Sequence, residues 1–164
     1  MKKEILFSSH IREEEINLCL NKTYVSTYTD FYEFQRLWFY RSYRAFKDFD
    51  KYLILVYFFQ KTFNTYNEYF IKKTYDEFYS MPSFEIEKFN IVNVSKDLLI
   101  TKETTRRKIL ELEKSGIIQK DNKSVKLNQE GINIQKPEES VKSLSRFLSS
   151  FSKVLFKNKF LKKE

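Results

Sequence analysis

The chain has 164 residues, of which 41% are hydrophobic and 32% charged, and its formal net charge is +8. This composition is that of a folded protein and excludes overall disorder, while the single cysteine, Cys19, excludes a disulfide framework within the chain. With one histidine, His10, and two glycines, Gly116 and Gly131, neither a zinc-type cluster nor a glycine-rich phosphate loop can be written. We therefore expect no cofactor, no bound metal, no catalytic residues and no enzymatic activity.

Residues 1–86 are predicted to form an aromatic-rich helical region. The N-terminus has only three consecutive apolar residues, too few for a secretory signal, so we expect a cytoplasmic protein. Residues 11–20 predict a short helix that ends at a polar break over residues 21–23. Thr29 or Asp30 is expected to cap a second helix that continues to Phe46. Its aromatic residues recur on several faces, which predicts that the helix is mostly buried.

A third helix is predicted from Lys51 to Tyr66, with Asp48 or Asp50 as its cap. Its apolar run over residues 52–59 is far shorter than the roughly 20 residues that a membrane helix needs, so we expect a core helix and no membrane association. Residues 67–81 keep a helical spacing of aromatic side chains. Pro82 is then expected to stop the helix and to start a linker.

Residues 87–130 carry the pattern of two short helices and a hairpin. Residues 91–98 have one apolar stripe, and Thr101 is expected to cap the following helix. In that helix Thr105, Ile109 and Leu112 form the predicted buried line, and Gly116 supplies the left-handed residue that ends it. Residues 117–118 and 125–127 are short apolar strands separated by a turn with Asp121-Asn122 at its tip.

The outward face of the second helix combines hydrogen-bonding groups with surplus positive charge, as a helix in the DNA major groove requires. The predicted contacts to base edges are Lys102, Glu103, Thr104 and Arg107. The predicted contacts to DNA phosphates are Arg106, Lys108, Lys120, Lys123 and Lys126. For Arg107 the alternative is an ordinary surface ion pair, because Glu103 and Glu111 lie four residues to either side.

This segment resembles the winged helix-turn-helix transcription regulators of bacteria, broadly those of the MarR and GntR type. The resemblance lies in Thr104, Arg107, Ile109, Leu112, Glu113 and Gly116-Ile117-Ile118, which match the pattern T-x-x-R-x-[LI]-x-x-L-E-x-x-G-[LI]-I. It implies that the helix enters the major groove and that the hairpin is a wing beside it. The chain departs from the family at the turn of residues 98–100, which has no small residue. Residues 67–86 would be an insertion after a core helix at residues 51–66.

Residues 131–164 predict a basic amphipathic helix that starts at Pro137-Glu138-Glu139. Its apolar residues follow a heptad spacing and are candidates for dimerisation: Val141, Leu144, Leu148, Phe151 and Leu155. The alternative is that this stripe packs on the chain's own N-terminal helices, and a third interpretation is binding to a membrane surface. Residues 1–85 are neutral, whereas residues 86–130 carry +3 and residues 131–164 carry +5, so the C-terminal half is expected to face an anionic partner.

The sequence thus predicts a mainly α fold, with a winged helix-turn-helix, a small β-hairpin wing and flanking helices at both ends. The predicted function is sequence-specific binding of double-stranded DNA by a homodimeric transcription regulator. The alternative is a winged-helix module that binds another protein without reading DNA. Neither the operator nor a small-molecule effector is specified by the residues.

Overall fold

The computed structural model describes residues 12–87, 89–121, 123–134 and 138–160, and it divides into two compact units. Unit 1 comprises the described residues up to Trp38 together with those from Glu138 onward. Unit 2 comprises the described residues from Phe39 to residue 134. The predicted tip residue Asn122, Pro137 at the predicted helix start and His10 lie outside the described residues.

Unit 1 is helical. It contains two complete helices, α1 (Glu13–Lys22) and α8 (Glu138–Phe160). It also contains the first part of α2 (Tyr24–Phe46), up to Trp38. The ring of Phe147 on α8 lies 5.6 Å from that of Phe31 and 6.0 Å from that of Phe34. The apolar stripe of α8 therefore packs, over part of its length, on the chain's own α2.

Two expectations for the N-terminal helices are wrong. The polar break is shorter than predicted, because α1 continues to Lys22 and α2 already begins at Tyr24, before the expected caps. Nor is α2 mostly buried, since Tyr32, Phe39 and Tyr43 are exposed. Aromatic side chains on all faces of one helix cannot all meet a core, and some pair along the helix surface instead. The Tyr24 and Tyr28 rings, for example, stack 4.2 Å apart.

The central element of unit 2 is α3, Phe49–Glu68, which extends the predicted helix by two residues at each end. Asp48 is its N-cap, and the Asp48 side chain accepts a hydrogen bond of 3.1 Å from the backbone N–H of Lys51. Ile54, Leu55 and Phe58 are fully buried in one hydrophobic core. The prediction of a core helix here is confirmed.

The predicted continuous helix over residues 67–81 is wrong. The chain leaves α3 after Glu68, Phe70 adopts a left-handed backbone conformation with φ of 54°, and only Tyr75–Tyr79 forms a short helix, α4. Thr74 caps α4 by accepting from the backbone N–H of Glu77, whose carboxylate in turn accepts from the backbone N–H of Thr74. This reciprocal cap begins a new helix, which the aromatic spacing alone does not reveal.

The segment after Pro82 is a strand, although a linker was predicted. Strand β1, Ser83–Ile86, pairs antiparallel with β3, Val125–Asn128, which also pairs with β2, Ile118–Lys120. The sheet therefore has three strands in the order β1-β3-β2. Residues 83–86 therefore contribute to the core of unit 2, where Phe84 is buried against Phe59 and Phe78.

The remaining helices of unit 2 are α5, Ile91–Leu98, α6, Lys102–Lys114, and the unpredicted α7, Gln129–Ile134. Helix α3 packs against α5, α6 and β1, and α7 packs against β3. Gly131 on α7 lies so near the backbone of Ile117 that an added Cβ would sit 2.6 Å from its carbonyl oxygen. The described chain is thus mainly helical with a small three-stranded antiparallel sheet.

Candidate nucleic-acid interface

Helices α5 and α6 are joined by a tight turn over residues 99–101. Leu99 ends α5 in the left-handed conformation, with φ of 55° and ψ of 33°, and its side chain is 94% exposed. The Ser95 hydroxyl donates a hydrogen bond of 2.7 Å to the carbonyl oxygen of Ile100, and the Ile100 N–H donates to the Ser95 carbonyl. These bonds fix the turn although it lacks the small residue common in the resembled families.

We expect Leu99→Gly to stabilise the protein by about 0.5–1 kcal/mol. A left-handed conformation costs a side-chain-bearing residue about 1–2 kcal/mol, and the greater unfolded-state freedom of glycine offsets part of this gain. The exposed leucine loses little burial on replacement. Urea denaturation of the variant measures the change. Leu99→Ala is the control, because it removes the same exposed atoms but keeps Cβ, and an equal gain from alanine would contradict the strain at Leu99.

The N-terminus of α6 is organised by Thr101. Its hydroxyl oxygen accepts from the backbone N–H of Thr104 at 3.2 Å, while its hydroxyl group donates to the Thr104 hydroxyl at 2.9 Å. The predicted cap is therefore confirmed. Thr105, Ile109 and Leu112 are all buried, as predicted, so the opposite side of α6 faces outward.

Four charged side chains cover the outward side of the first two turns of α6. Lys102, Glu103, Arg106 and Arg107 are exposed, and Thr104 is half-buried. Arg107 lies 3.9 Å from the Glu111 carboxylate, yet its side chain remains 64% exposed. A solvated pair at this distance contributes little stability, so Arg107 can exchange Glu111 for another partner at small cost. The helix dipole adds further positive potential at this end.

Lys108 differs from the other cations assigned to phosphates. Its ammonium lies 2.5 Å from the Asp48 carboxylate and 3.4 Å from that of Glu111, and the side chain is only 12% exposed. Lys51 on α3 also contacts Glu111, at 2.8 Å. Lys108 therefore connects α6 to the start of α3 and is not directed at an outside anion. The sequence did not reveal this because Asp48 is remote along the chain.

The pKa values of Lys108, Glu111 and Asp48 are shifted by the contacts within this ion cluster. The hydrogen bond to Asp48 raises the pKa of Lys108, and the bond from Lys51 lowers the pKa of Glu111. For Asp48, burial acts to raise the pKa, but hydrogen bonds from Lys108 and from the Lys51 backbone together lower it. All three groups thus keep their charges at neutral pH and hold α6 against α3.

The hairpin is anchored to the end of α6. Gly116 follows α6 with φ of 73°, as predicted, and the Ile117 N–H donates to the Leu112 carbonyl at 3.1 Å. The Glu113 carboxylate accepts from the backbone N–H of Lys120 at 3.1 Å. Through this bond the orientation of β2 depends on α6. The side chains of Lys120 and Lys123 are exposed at the hairpin's outer end.

Lys126 lies in the middle of the sheet. Val125 and Leu127 on either side of it are buried, so Lys126 is on the outer face of β3. Its register partners are Glu85 on β1 and Gln119 on β2. A carboxylate directly across the strand pair reduces the local positive potential, so Lys126 is less suited to a phosphate contact than Lys120 or Lys123.

Sequence reasoning missed the residues that position α6 and the hairpin. Asp48 was expected only as a helix cap, Glu111 only as a partner of Arg107, and Lys51 and Glu113 were given no positioning role. The contact between Arg107 and Glu111 was expected from their spacing only as the alternative to a base contact. No local signal indicates the contacts of Asp48 with Lys108 or of Glu113 with Lys120, since each joins two separate elements.

The candidate dimerisation residues on α8 fall into two groups. Val141, Leu144 and Leu148 are exposed, whereas Phe151 is half-buried and Leu155 is buried. The predicted stripe is therefore divided between packing on the chain itself and a shorter exposed part. Residues 161–164 at the basic end lie outside the described residues.

Within the described ranges, no group of three or more histidine, cysteine, aspartate or glutamate side chains is arranged to hold a metal ion. None of the helices described is both long and apolar enough to cross a membrane. Comparisons with protein-family models, with curated proteins and with solved structures found no match to this chain.

Proposed function

We propose that this protein binds double-stranded DNA through a winged helix-turn-helix in unit 2 and acts as a transcription regulator. The observation that carries the proposal is the exposed, cation-rich N-terminal half of α6, held beside a hairpin with exposed lysines at its outer end. In this arrangement α6 reads base edges and the hairpin contacts the phosphate backbone.

The arrangement of elements supports a winged helix-turn-helix. Helices α5 and α6 are joined by the three residues 99–101, a turn length typical of helix-turn-helix motifs. The hairpin of β2 and β3 follows directly, and α3 packs behind both helices. Strand β1 completes a small sheet at the base of the hairpin.

The proposed base contacts are Lys102, Glu103, Thr104 and Arg107. Arg107 is the strongest of these because its guanidinium is exposed and can donate two hydrogen bonds to a guanine edge. The Thr104 hydroxyl accepts from Thr101, so its own proton remains available to donate to a base edge. Specificity is therefore expected to depend mainly on Arg107.

The proposed phosphate contacts are Arg106, Lys120 and Lys123. All three are exposed: Arg106 lies among the proposed base contacts on α6, and Lys120 and Lys123 lie on the hairpin that follows. Lys108 is not among these contacts because it is held by Asp48, and Lys126 has a minor role because Glu85 lies opposite to it. Arg106, Lys120 and Lys123 provide affinity that falls as salt rises.

We further propose that the regulator is a homodimer through the exposed part of the α8 stripe: Val141, Leu144 and Leu148. An apolar stripe of this spacing can pack against its copy in a second chain. Two copies would place two α6 helices on one DNA duplex, and such a dimer reads two half-sites.

A salt-titrated binding assay tests the proposal, using the full chain with random-sequence duplex and with duplex from its own upstream region. We expect affinity to fall steeply as salt rises, with tighter binding to the upstream duplex. Lys123→Ala should weaken binding to both duplexes alike and flatten the salt slope by about one. Lys72→Ala removes an equal charge from the exposed loop after α3 and serves as the control.

Absence of binding at low salt would contradict the DNA proposal and favour a protein-binding role for the same surface. Equal loss of affinity from Lys72→Ala and Lys123→Ala would show that net charge, and not the hairpin, determines the affinity. A preference for the upstream duplex that persists in Lys123→Ala is the expected mark of a phosphate contact.

A further inference from the structure

Strand β1 is an edge strand of the three-stranded sheet. Its inner edge pairs with β3, and no other described strand pairs with its outer edge. An open edge of this kind presents backbone N–H and C=O groups that can pair with an added extended chain. Strand β1 lies on one side of β3, and β2, one of the two hairpin strands, lies on the other.

A groove of about 820 Å³ runs between β1 and the C-terminal half of α3. Residues 84–87 line one side of it, and residues of α3 from Lys61 to Glu68 line the other. Phe84 and Thr62 are buried, while Tyr66 and Met81 are half-buried, so the groove combines apolar surface with an exposed strand edge. We call this the docking groove.

Exposed apolar side chains follow Tyr69, one of the residues that line the docking groove. Tyr69 lines the groove, and the adjacent Phe70 is 89% exposed with a left-handed φ of 54°. Ile71 is exposed as well. Exposed aromatic residues beside a concave surface are typical of the energetic centre of a protein interface. A strained backbone that presents such a ring outward is a second sign of a functional surface.

The charge of the docking groove is opposite to that of the protein as a whole. Among the described residues its lining includes the carboxylates of Glu68, Glu85 and Glu87 and one cation, Lys61, while Lys126 lies across the strand pair from Glu85. Lys61 lies 3.7 Å from the Asp97 carboxylate outside the groove, whereas none of the three glutamates forms an ion pair with a described residue. The groove therefore favours a positively charged occupant.

The negative charge of the docking groove also favours one class of occupant over the others. Nucleic acid is disfavoured because it is anionic. A second copy of β1 is disfavoured because edge-to-edge pairing would bring Glu85 and Glu87 of both chains together. An extended segment with alternating apolar and basic residues meets neither obstacle.

We propose that the docking groove binds an extended basic segment of a partner protein, which adds to β1 as a fourth strand. The segment's lysine or arginine side chains face Glu85 and Glu87, and its apolar side chains contact Tyr66, Tyr69 and Phe70. The site goes beyond the proposed DNA binding and does not rest on it. The C-terminal end of β1 lies near the hairpin turn, since the Phe89 N–H donates to the Lys123 carbonyl at 2.8 Å, whereas Lys120 is on β2 at the other edge of the sheet.

The test uses the full chain and a fluorescein-labelled peptide of about seven residues that alternates valine and lysine, a length typical of one strand. Fluorescence anisotropy measures its affinity. We expect saturable binding of this peptide and none of a matched peptide that alternates valine and glutamate. Amide hydrogen exchange should show added protection in residues 83–87 when the lysine peptide is bound.

Two variants locate the site. The double change Glu85→Lys with Glu87→Lys should lower the affinity by about tenfold or more, whereas Glu13→Lys with Glu14→Lys makes the same charge change on α1 with little effect. Phe70→Ala, at an exposed position, should weaken binding while the folded state, checked by circular dichroism, is retained. This second variant keeps the test decisive if the double variant does not fold.

Several results would overturn the proposal. These are no binding of the lysine peptide, equal binding of the glutamate peptide, equal losses from the β1 and α1 charge reversals, or no loss from Phe70→Ala. Concentration-dependent self-association that Phe70→Ala abolishes would assign the groove to a second copy of the chain instead. DNA binding by the same variants is measured in parallel. If a variant loses peptide binding but still binds DNA, the docking groove and the proposed DNA-binding surface are separate sites.

Discussion

Replacing Arg107 with alanine should reduce binding to the preferred duplex by about 1–3 kcal/mol and relax the sequence preference. The guanidinium is exposed on the outward side of α6, and its contact with Glu111 at 3.9 Å is weak enough to be exchanged for a base edge. Removing it deletes a bidentate donor that distinguishes guanine from the other bases. Binding to preferred and random duplexes, measured at one salt concentration, gives the change in discrimination.

Lys114→Ala is the matched control for Arg107→Ala. Lys114 is an exposed cation in the last turn of the same helix, away from the proposed base contacts near its N-terminus. Lys114→Ala should cause a small loss of affinity that is equal for the preferred and the random duplex. If Arg107→Ala also weakened both duplexes by the same factor, Arg107 would be a backbone contact and its proposed base-reading role would be wrong.

The largest expected effect on stability comes from Ile109→Ala, which should lower the free energy of unfolding of unit 2 by about 2–5 kcal/mol. Ile109 is 1% exposed and belongs to the hydrophobic core of unit 2, together with Leu112 on the same helix and Phe58 on α3. Its truncation leaves a cavity at the packing surface between α6 and the rest of that core. Such a loss is a large fraction of the stability of a typical domain.

Leu110→Ala provides the comparison, because Leu110 is the next residue on α6 but is 43% exposed. Its truncation should change the unfolding free energy by less than about 1 kcal/mol. The unfolding free energy of both variants is measured by urea denaturation, monitored by hydrogen exchange of the unit 2 amides. This probe is needed because the only tryptophan, Trp38, reports on unit 1. Similar losses from both changes would contradict the assigned orientation of α6.

Local chemistry predicted most of α5, α6 and the hairpin. Thr101 caps α6 and Gly116 ends it because capping hydroxyls and left-handed glycines act within one turn of their own position. The buried side of α6 follows from its helical period. These features need no knowledge of the rest of the chain, which is why the sequence was informative there.

Pairing between distant segments was not predictable. Residues 83–86 were assigned to a linker because four residues after a proline carry no strong strand signal. They form β1 by pairing with the backbone of β3, which lies much later in the chain, at residues 125–128. Aromatic spacing over residues 67–81 indicated one helix, but the left-handed Phe70 and the Thr74 cap divide it. On α2 the same abundance of aromatic residues led to an overestimate of burial.

The sequence by itself determined the mainly helical character of the chain, the two helices and hairpin of residues 91–128, and the concentration of positive charge in the C-terminal half. Each of these follows from periodicity, capping or composition, which act locally. Only the tertiary structure decided that Lys108 is held by Asp48, that Lys126 lies opposite Glu85, and that β1 leaves an acidic edge open. Those features join residues far apart in sequence, and electrostatic interactions of this kind depend on distances that only the folded chain sets.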